Sequence, residues 1–203
     1  MSSKASHLLK EERCNKTVVI GVPHHAPVGV DRLPCNRWAD ENTGYLGRYL
    51  AQKLNCHSII ACNYTIDANK DMNNDYARQL LQWLPRLLIE IHGHKRKRTN
   101  NDVEITCGCT EYNQYSIILA EKLLEKCKND NELHRLRICG DFARIYFKGK
   151  TARTIHGQGW LGFLIELPPE LRFNAGQIGG EPPRTGYQFC KYLIESLNKM
   201  ELI

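Results

Sequence analysis

Four short apolar runs mark this chain, and three of them break off at or enclose side chains that bind metals or move protons. They are TVVIGV at residues 17–22, closed by Pro23 and followed by His24 and His25; SIIACNY at 58–64; RLLIEI at 86–91, followed by His92 and then His94; and LGFLIEL at 161–167. The last is stopped by Pro168 and Pro169 and carries Glu166 inside it. Runs with no polar alternation read as strands covered on both faces. Between them lie helical patterns. Tyr45, Leu46, Tyr49, Leu50 and Leu54 recur at helical spacing after Glu41, Asn42 and Thr43, residue types that suit a helix start. Further helices are expected over 76–84, 115–127 and 187–197, a short strand over 103–106, and one or two strands over 136–147. Strands alternating with helices predict an α/β fold in three layers, a mixed, mostly parallel sheet flanked by helices. Residues 1–15 are polar and read as a loose arm or short helix, and 16–203 as a single domain.

Composition narrows the class. Of 203 residues, 42% are hydrophobic and 25% charged, as in an ordinary globular protein. No apolar run approaches the ~20 residues of a membrane helix. The polar N-terminal stretch lacks the apolar region of a secretory signal, so the nine cysteines are expected as reduced thiols in a cytoplasmic protein. Cys107 and Cys109 read as structural thiols at a strand end, because no second pair follows at zinc-finger spacing. The net charge of +6 owes much to Lys95, Arg96, Lys97 and Arg98. This run reads as a solvated loop that raises the local potential for an anionic substrate. It has no interleaved aromatic residues for base stacking, so nucleic acid is not the expected partner.

In open α/β sheets, ligands bind beyond the carboxyl ends of the strands. His24 follows the first strand, His92 follows the third, and the acidic pair Asp40–Glu41 opens a helix at the same rim. Two imidazoles and a carboxylate are the usual protein ligands of a catalytic zinc, with one position left for water. His24 is preferred to His25 because it directly follows Pro23, and His92 to His94 because it ends its strand. The residues alone do not choose between Asp40 and Glu41. Glu166 lies among apolar neighbours, where a carboxylate is costly unless it is paired, protonated or facing a cleft. A general base with a raised pKa is the functional reading, and a buried Glu held by an Arg the structural one.

The ordered segments VPHHAP (22–27), ADENTG (39–44), YTIDANKD (64–71), LIEIHGHK (88–95) and FLIELPPELR (163–172) together resemble the N-formylglutamate amidohydrolase family. That family shares its fold with the zinc carboxypeptidases and the aspartoacylase-like deacylases. The resemblance spans most of residues 17–172. It implies Zn2+ held by His24, Glu41 and His92, with Glu166 as the base that deprotonates the bound water. Where the carboxypeptidases grip a substrate carboxylate with an Asn–Arg pair, this chain has Asn69 and Lys70. Lysine offers a point charge in place of a bidentate fork. Asn69, Lys70 and Arg172 are expected to bind an anionic group, and His156, in TIHGQGW, to donate to a tetrahedral oxyanion. The expected activity is hydrolysis of the C–N amide bond of a small N-acylated amino acid or peptide. The alternative is a member of the fold that binds an anion or nucleic acid without catalysis.

Overall fold

The computed structural model describes residues 6–95, 98–176 and 180–203. In chain order the elements are β1 His7–Glu11, β2 Asn15–Ala26, β3 Asp40–Glu41, α1 Thr43–Lys53, β4 Cys56–Cys62, α2 Asp75–Trp83 and β5 Leu87–Gly93. They continue with β6 Val103–Thr106, α3 Asn113–Cys127, β7 Ile138–Cys139, β8 Leu161–Leu167, α4 Pro169–Arg172 and α5 Arg184–Lys199. The strands form one sheet in the order β1-β4-β2-β5-β8-β6-β7, with β3 added to the end of β2. Among the described strands, the β1–β4 and β6–β8 pairs are antiparallel and the others parallel. The fold is therefore α/β with a mixed, mostly parallel sheet between helical layers, the class the sequence predicted.

Alternation along the strands divides the interior into two cores. Val18, Ile20 and Val22 of β2, Ile89 and Ile91 of β5, and Phe163 and Ile165 of β8 pack under α1, α3 and α5. Val19, Leu88 and Leu164, one residue out of phase, pack on the other side with Tyr76 and Leu80 of α2 and with Ile155 and Trp160 of the segment before β8. Both sides of the central strands are thus apolar, which is why their sequences showed no alternation. Cys56, Cys107, Cys127 and Cys190 sit in the first core, where a thiol behaves as a small hydrophobe.

Two expectations change. Asp40 and Glu41, expected to open a helix, form the short strand β3, and α1 starts only at Thr43. Residues 7–11, read as part of a loose arm or short helix, pair with β4 as an edge strand. HLLKE is too short and polar to show a period, but β4 presents unpaired backbone groups that need partners. Of the one or two strands expected over 136–147, one forms, the two-residue β7. Beyond it the amides of Tyr146 and Phe147 donate to the buried Glu104 carboxylate at 3.0 and 2.8 Å, which holds that stretch as a turn.

Ile89 sits at the centre of the sheet and is fully buried. Ile89→Ala is expected to lower the unfolding free energy by about 2–5 kcal/mol, read from urea denaturation at unchanged m-value.

Candidate metal and active site

The period of two that sorts the cores also assembles the site. On β5, Leu88 belongs to the core beneath α2, so Glu90 and His92 project to that same side. On β8, Leu164 does so, and Glu166 follows. His92 and Glu166 stand side by side in register. β2 arrives differently. Between the pairs Val22–Ile60 and His25–Cys62, β2 carries one residue more than β4. This bulge falls at Pro23, which has no amide hydrogen to give a ladder, and it re-aims the side chains that follow.

Three buried side chains converge: His24, Asp40 and His92, whose ligand-type atoms lie within 4.8 Å of one another. Asp40 Oδ2 is 3.0 Å from His92 Nδ1 and 3.4 Å from His24 Nδ1. Ligand atoms around a tetrahedral Zn2+ with bonds near 2.0 Å stand about 3.3 Å apart, so this donor set fits the ion in both chemistry and spacing. The far nitrogen of each imidazole is also held. His24 Nε2 lies 2.9 Å from Asp67 Oδ1, and His92 Nε2 lies 3.4 Å from Glu90 Oε2. A carboxylate behind each histidine fixes tautomer and ring orientation, the usual support of metal-binding imidazoles.

Glu90 is fully buried and well provided for. It accepts from Tyr76 Oη at 3.0 Å, Thr154 Oγ1 at 2.8 Å and Asn69 Nδ2 at 3.1 Å. Gly21 makes room for this, since a Cβ there would collide with the Tyr76 hydroxyl.

Charge follows from these contacts. Burial works against protonation of His92, but hydrogen bonds to Asp40 and Glu90 outweigh it and push its pKa up to about 10. Burial opposes protonation of His24 too, and Asp40 and Asp67 again turn the shift upward. Asp40 resists the upward pull of its own burial, because both imidazoles bond to it and hold it below the usual carboxylate range. Glu166 goes the other way. Burial pushes it up to about 7, against the pull of the His92 charge.

The site opens into a cavity of about 250 Å³. His24, Asp40, His92 and Glu166 form its floor, and Arg37, Trp38, Lys95 and Arg98 its rim. Phe147, held by Glu104, also lines it and stacks on His94 with ring centroids 5.4 Å apart. Arg32 and Lys95 approach the Trp38 ring at 4.2 and 5.0 Å, which keeps the mouth basic around an aromatic plate.

Several expected roles are redistributed. The acid that faces both imidazoles is Asp40 and not Glu41. Neighbours on a strand point to opposite faces, and Glu41 Oε1 turns away to accept from the Gly29 amide at 2.7 Å. Asn69 lies behind His92, bonded to Glu90, rather than in the cavity. Lys70 Nζ sits 3.4 Å from Asp67 Oδ2. Arg172 is buried, and three of its donors are taken by backbone carbonyls. His156 stands outside the cavity lining, with Nε2 3.2 Å from the Lys150 carbonyl oxygen. Of the basic run, Lys95 and Arg98 reach the rim, while Arg96 and Lys97 lie outside the described residues. Asp67 and Glu90 were missed as supporting acids. Glu90 was findable, since it precedes His92 by two residues on a strand and must share its face.

Fold and site together define an α/β protein with a two-histidine, one-carboxylate group at the carboxyl ends of its central strands. Neither a protein-family model nor a curated protein sequence matches the chain. Solved structures do. A bacteriophage poly-gamma-glutamate hydrolase is similar over 97% of this chain and 90% of that one, with TM-score 0.65 and 10% identity. N-formylglutamate amidohydrolase from Ralstonia eutropha JMP134 is similar over 96% of this chain and 97% of that one, with TM-score 0.56 and 11% identity. The zinc-free form of YNDL is similar over 96% and 90%, with TM-score 0.56 and 13% identity. At these identities the likeness is one of fold. Among the described residues no helix is long and apolar enough to cross a membrane.

Two outcomes follow from the geometry. Asp40→Asn is expected to weaken Zn2+ binding by about 100-fold or more, while Glu41→Gln stays within a few-fold of the parent, by chelator competition. Because Asp40 and Glu90 raise the His92 pKa and favour its protonated form in the metal-free protein, Zn2+ binding is expected to displace a proton. Affinity is therefore expected to rise with pH from 6 to 9. Calorimetry in buffers of different ionisation enthalpy should record net proton release.

Proposed function

We propose that this chain is a zinc-dependent hydrolase of amide C–N bonds, acting on a small N-acylated amino acid or peptide that carries an anionic group. The observation that carries this reading is the buried His24–Asp40–His92 group with Glu166 beside it on the neighbouring strand. Support comes also from the carboxylates behind both histidines and from the basic rim. The fold is shared with a hydrolase and an amidohydrolase whose names carry glutamate, an acidic amino acid.

His24, Asp40 and His92 would hold the ion. Zinc supplies, when bound, a Lewis acid for the scissile carbonyl and a water of lowered pKa. The remaining chemistry belongs to the chain. Glu166, with a pKa raised by burial toward neutrality, takes a proton from the attacking water on its carboxylate and returns it to the leaving amine nitrogen. Arg98 and Lys95, the latter paired with the exposed Asp31, attract the anionic end of the substrate, Arg37 being engaged by Asp67, and the Trp38 ring covers its apolar part. Asp67 and Glu90 keep the imidazoles oriented through each turnover.

Glu166→Gln tests the assignment. The variant should keep one Zn2+ per chain and lose about 10²–10⁴-fold in kcat, measured by amine release from a panel of N-acylated amino acids. A parent protein that holds no zinc after reconstitution, or a Glu166→Gln variant as active as the parent, would remove the reading.

A further inference from the structure

β3 carries Asp40 but pairs only with β2, whereas His92 and Glu166 sit on the laddered pair β5–β8. Asp40 is therefore linked to Glu166 through the sheet only by way of two intervening strands, β2 and β5, the first of them irregular between Val22 and His25. One buried side chain spans that gap. Arg172, 1% exposed, donates from Nη1 to the Glu41 carbonyl at 2.8 Å, from Nη2 to the His94 carbonyl at 2.9 Å and from Nε to the Leu167 carbonyl at 3.2 Å. These carbonyls stand one residue from Asp40, two from His92 and one from Glu166. The tie is returned, because Asn42 Nδ2 donates to the Arg172 carbonyl at 3.0 Å. Gly93 leaves the space for it: a Cβ there would come within 2.5 Å of the guanidinium carbon. A planar fork of five donors can join three strand ends at once, and an ammonium cannot reproduce its geometry.

We propose that Arg172 is a positioning residue, whose guanidinium fixes the base Glu166 and the acid Asp40 relative to His92 by clamping the backbone beside each. The inference rests on the hydrolase reading for its kinetic consequences, and on the geometry alone for its structural ones. It also separates Arg172 from substrate binding. A substrate grip would appear in KM, whereas a clamp appears in kcat and in metal affinity.

The test compares Arg172→Lys, Gly93→Ala and, as a control of similar lost stability, Leu193→Ala in the remote core beneath α5. Gly93→Ala keeps the arginine and displaces it, so it decides the matter should Arg172→Lys fail to fold. In folded Arg172→Lys and Gly93→Ala, Zn2+ affinity and kcat should each fall about 10- to 100-fold with KM within about two-fold, while Leu193→Ala keeps both. Parental kcat and affinity in the two variants, a rise in KM alone, or losses matched by Leu193→Ala would overturn the clamp. A parent protein that binds no zinc defeats the hydrolase reading separately. In that case the ring 15N resonances of His24 and His92 in the metal-free protein decide. They should shift in Arg172→Lys and not in Leu193→Ala, and unchanged resonances in Arg172→Lys overturn the proposal.

Discussion

The Asp40 carboxylate sits between two imidazoles in a place nearly closed to solvent, and much of the molecule is arranged around that arrangement. An isolated charge there would be prohibitively expensive, and so would an unpaired acid. The chain resolves this by alternation of sign. Asp67, His24, Asp40, His92 and Glu90 form a continuous line of acid and base, each within hydrogen-bond or ion-pair reach of the next. The line ends on one side at the half-buried Asp67, which Arg37 and Lys70 balance, and on the other at Glu90 in the second core. There Tyr76, Thr154 and Asn69 take up the remaining lone pairs, so α2 and the segment before β8 are tied to the site through polar contacts as well as packing.

The same network separates the two acids of the cavity in charge. Asp40 accepts from both imidazoles and stays ionised, ready to serve as a ligand. Glu166, on the next strand over from His92, is buried and held up near neutrality. Two carboxylates in one cavity thereby acquire opposite pKa shifts through their surroundings alone. Across the sheet edge Glu104 pairs in register with Glu166 yet differs from both, since its carboxylate is consumed by loop amides. That bond is what delivers Phe147 to the cavity wall.

Legibility differed from element to element for physical reasons. β8 and β6 were readable to the residue, because prolines and turn residues bound them and burial on both faces makes their composition plain. β1 was not, because an edge strand takes its conformation from the partner beside it. In the site, His24 and His92 were preferred to His25 and His94 as the residues that follow their strands, yet both lie inside strands, β2 and β5, and it is the face they share with Asp40 that groups them. Asp40 and Glu41 were not distinguishable from the residues alone. Their choice turns on which face of a two-residue strand looks inward: the family resemblance pointed to Glu41, whereas Asp40 faces both imidazoles. Arg172 was recognised as informative, but its chemistry was assigned to a ligand, because sequence does not disclose that three backbone carbonyls await it.

The residues alone were enough to predict an α/β sheet, and they pointed to the carboxyl ends of its central strands and to two histidines with an acid as a candidate site. Those features follow from composition, period and strand termini, all of which are local. Which acid joins the histidines, which carboxylates stand behind them and what the buried arginine holds were decided only by the tertiary structure. Each depends on a register, on the one-residue bulge at Pro23 or on a contact across more than a hundred residues of chain, and no local pattern encodes these.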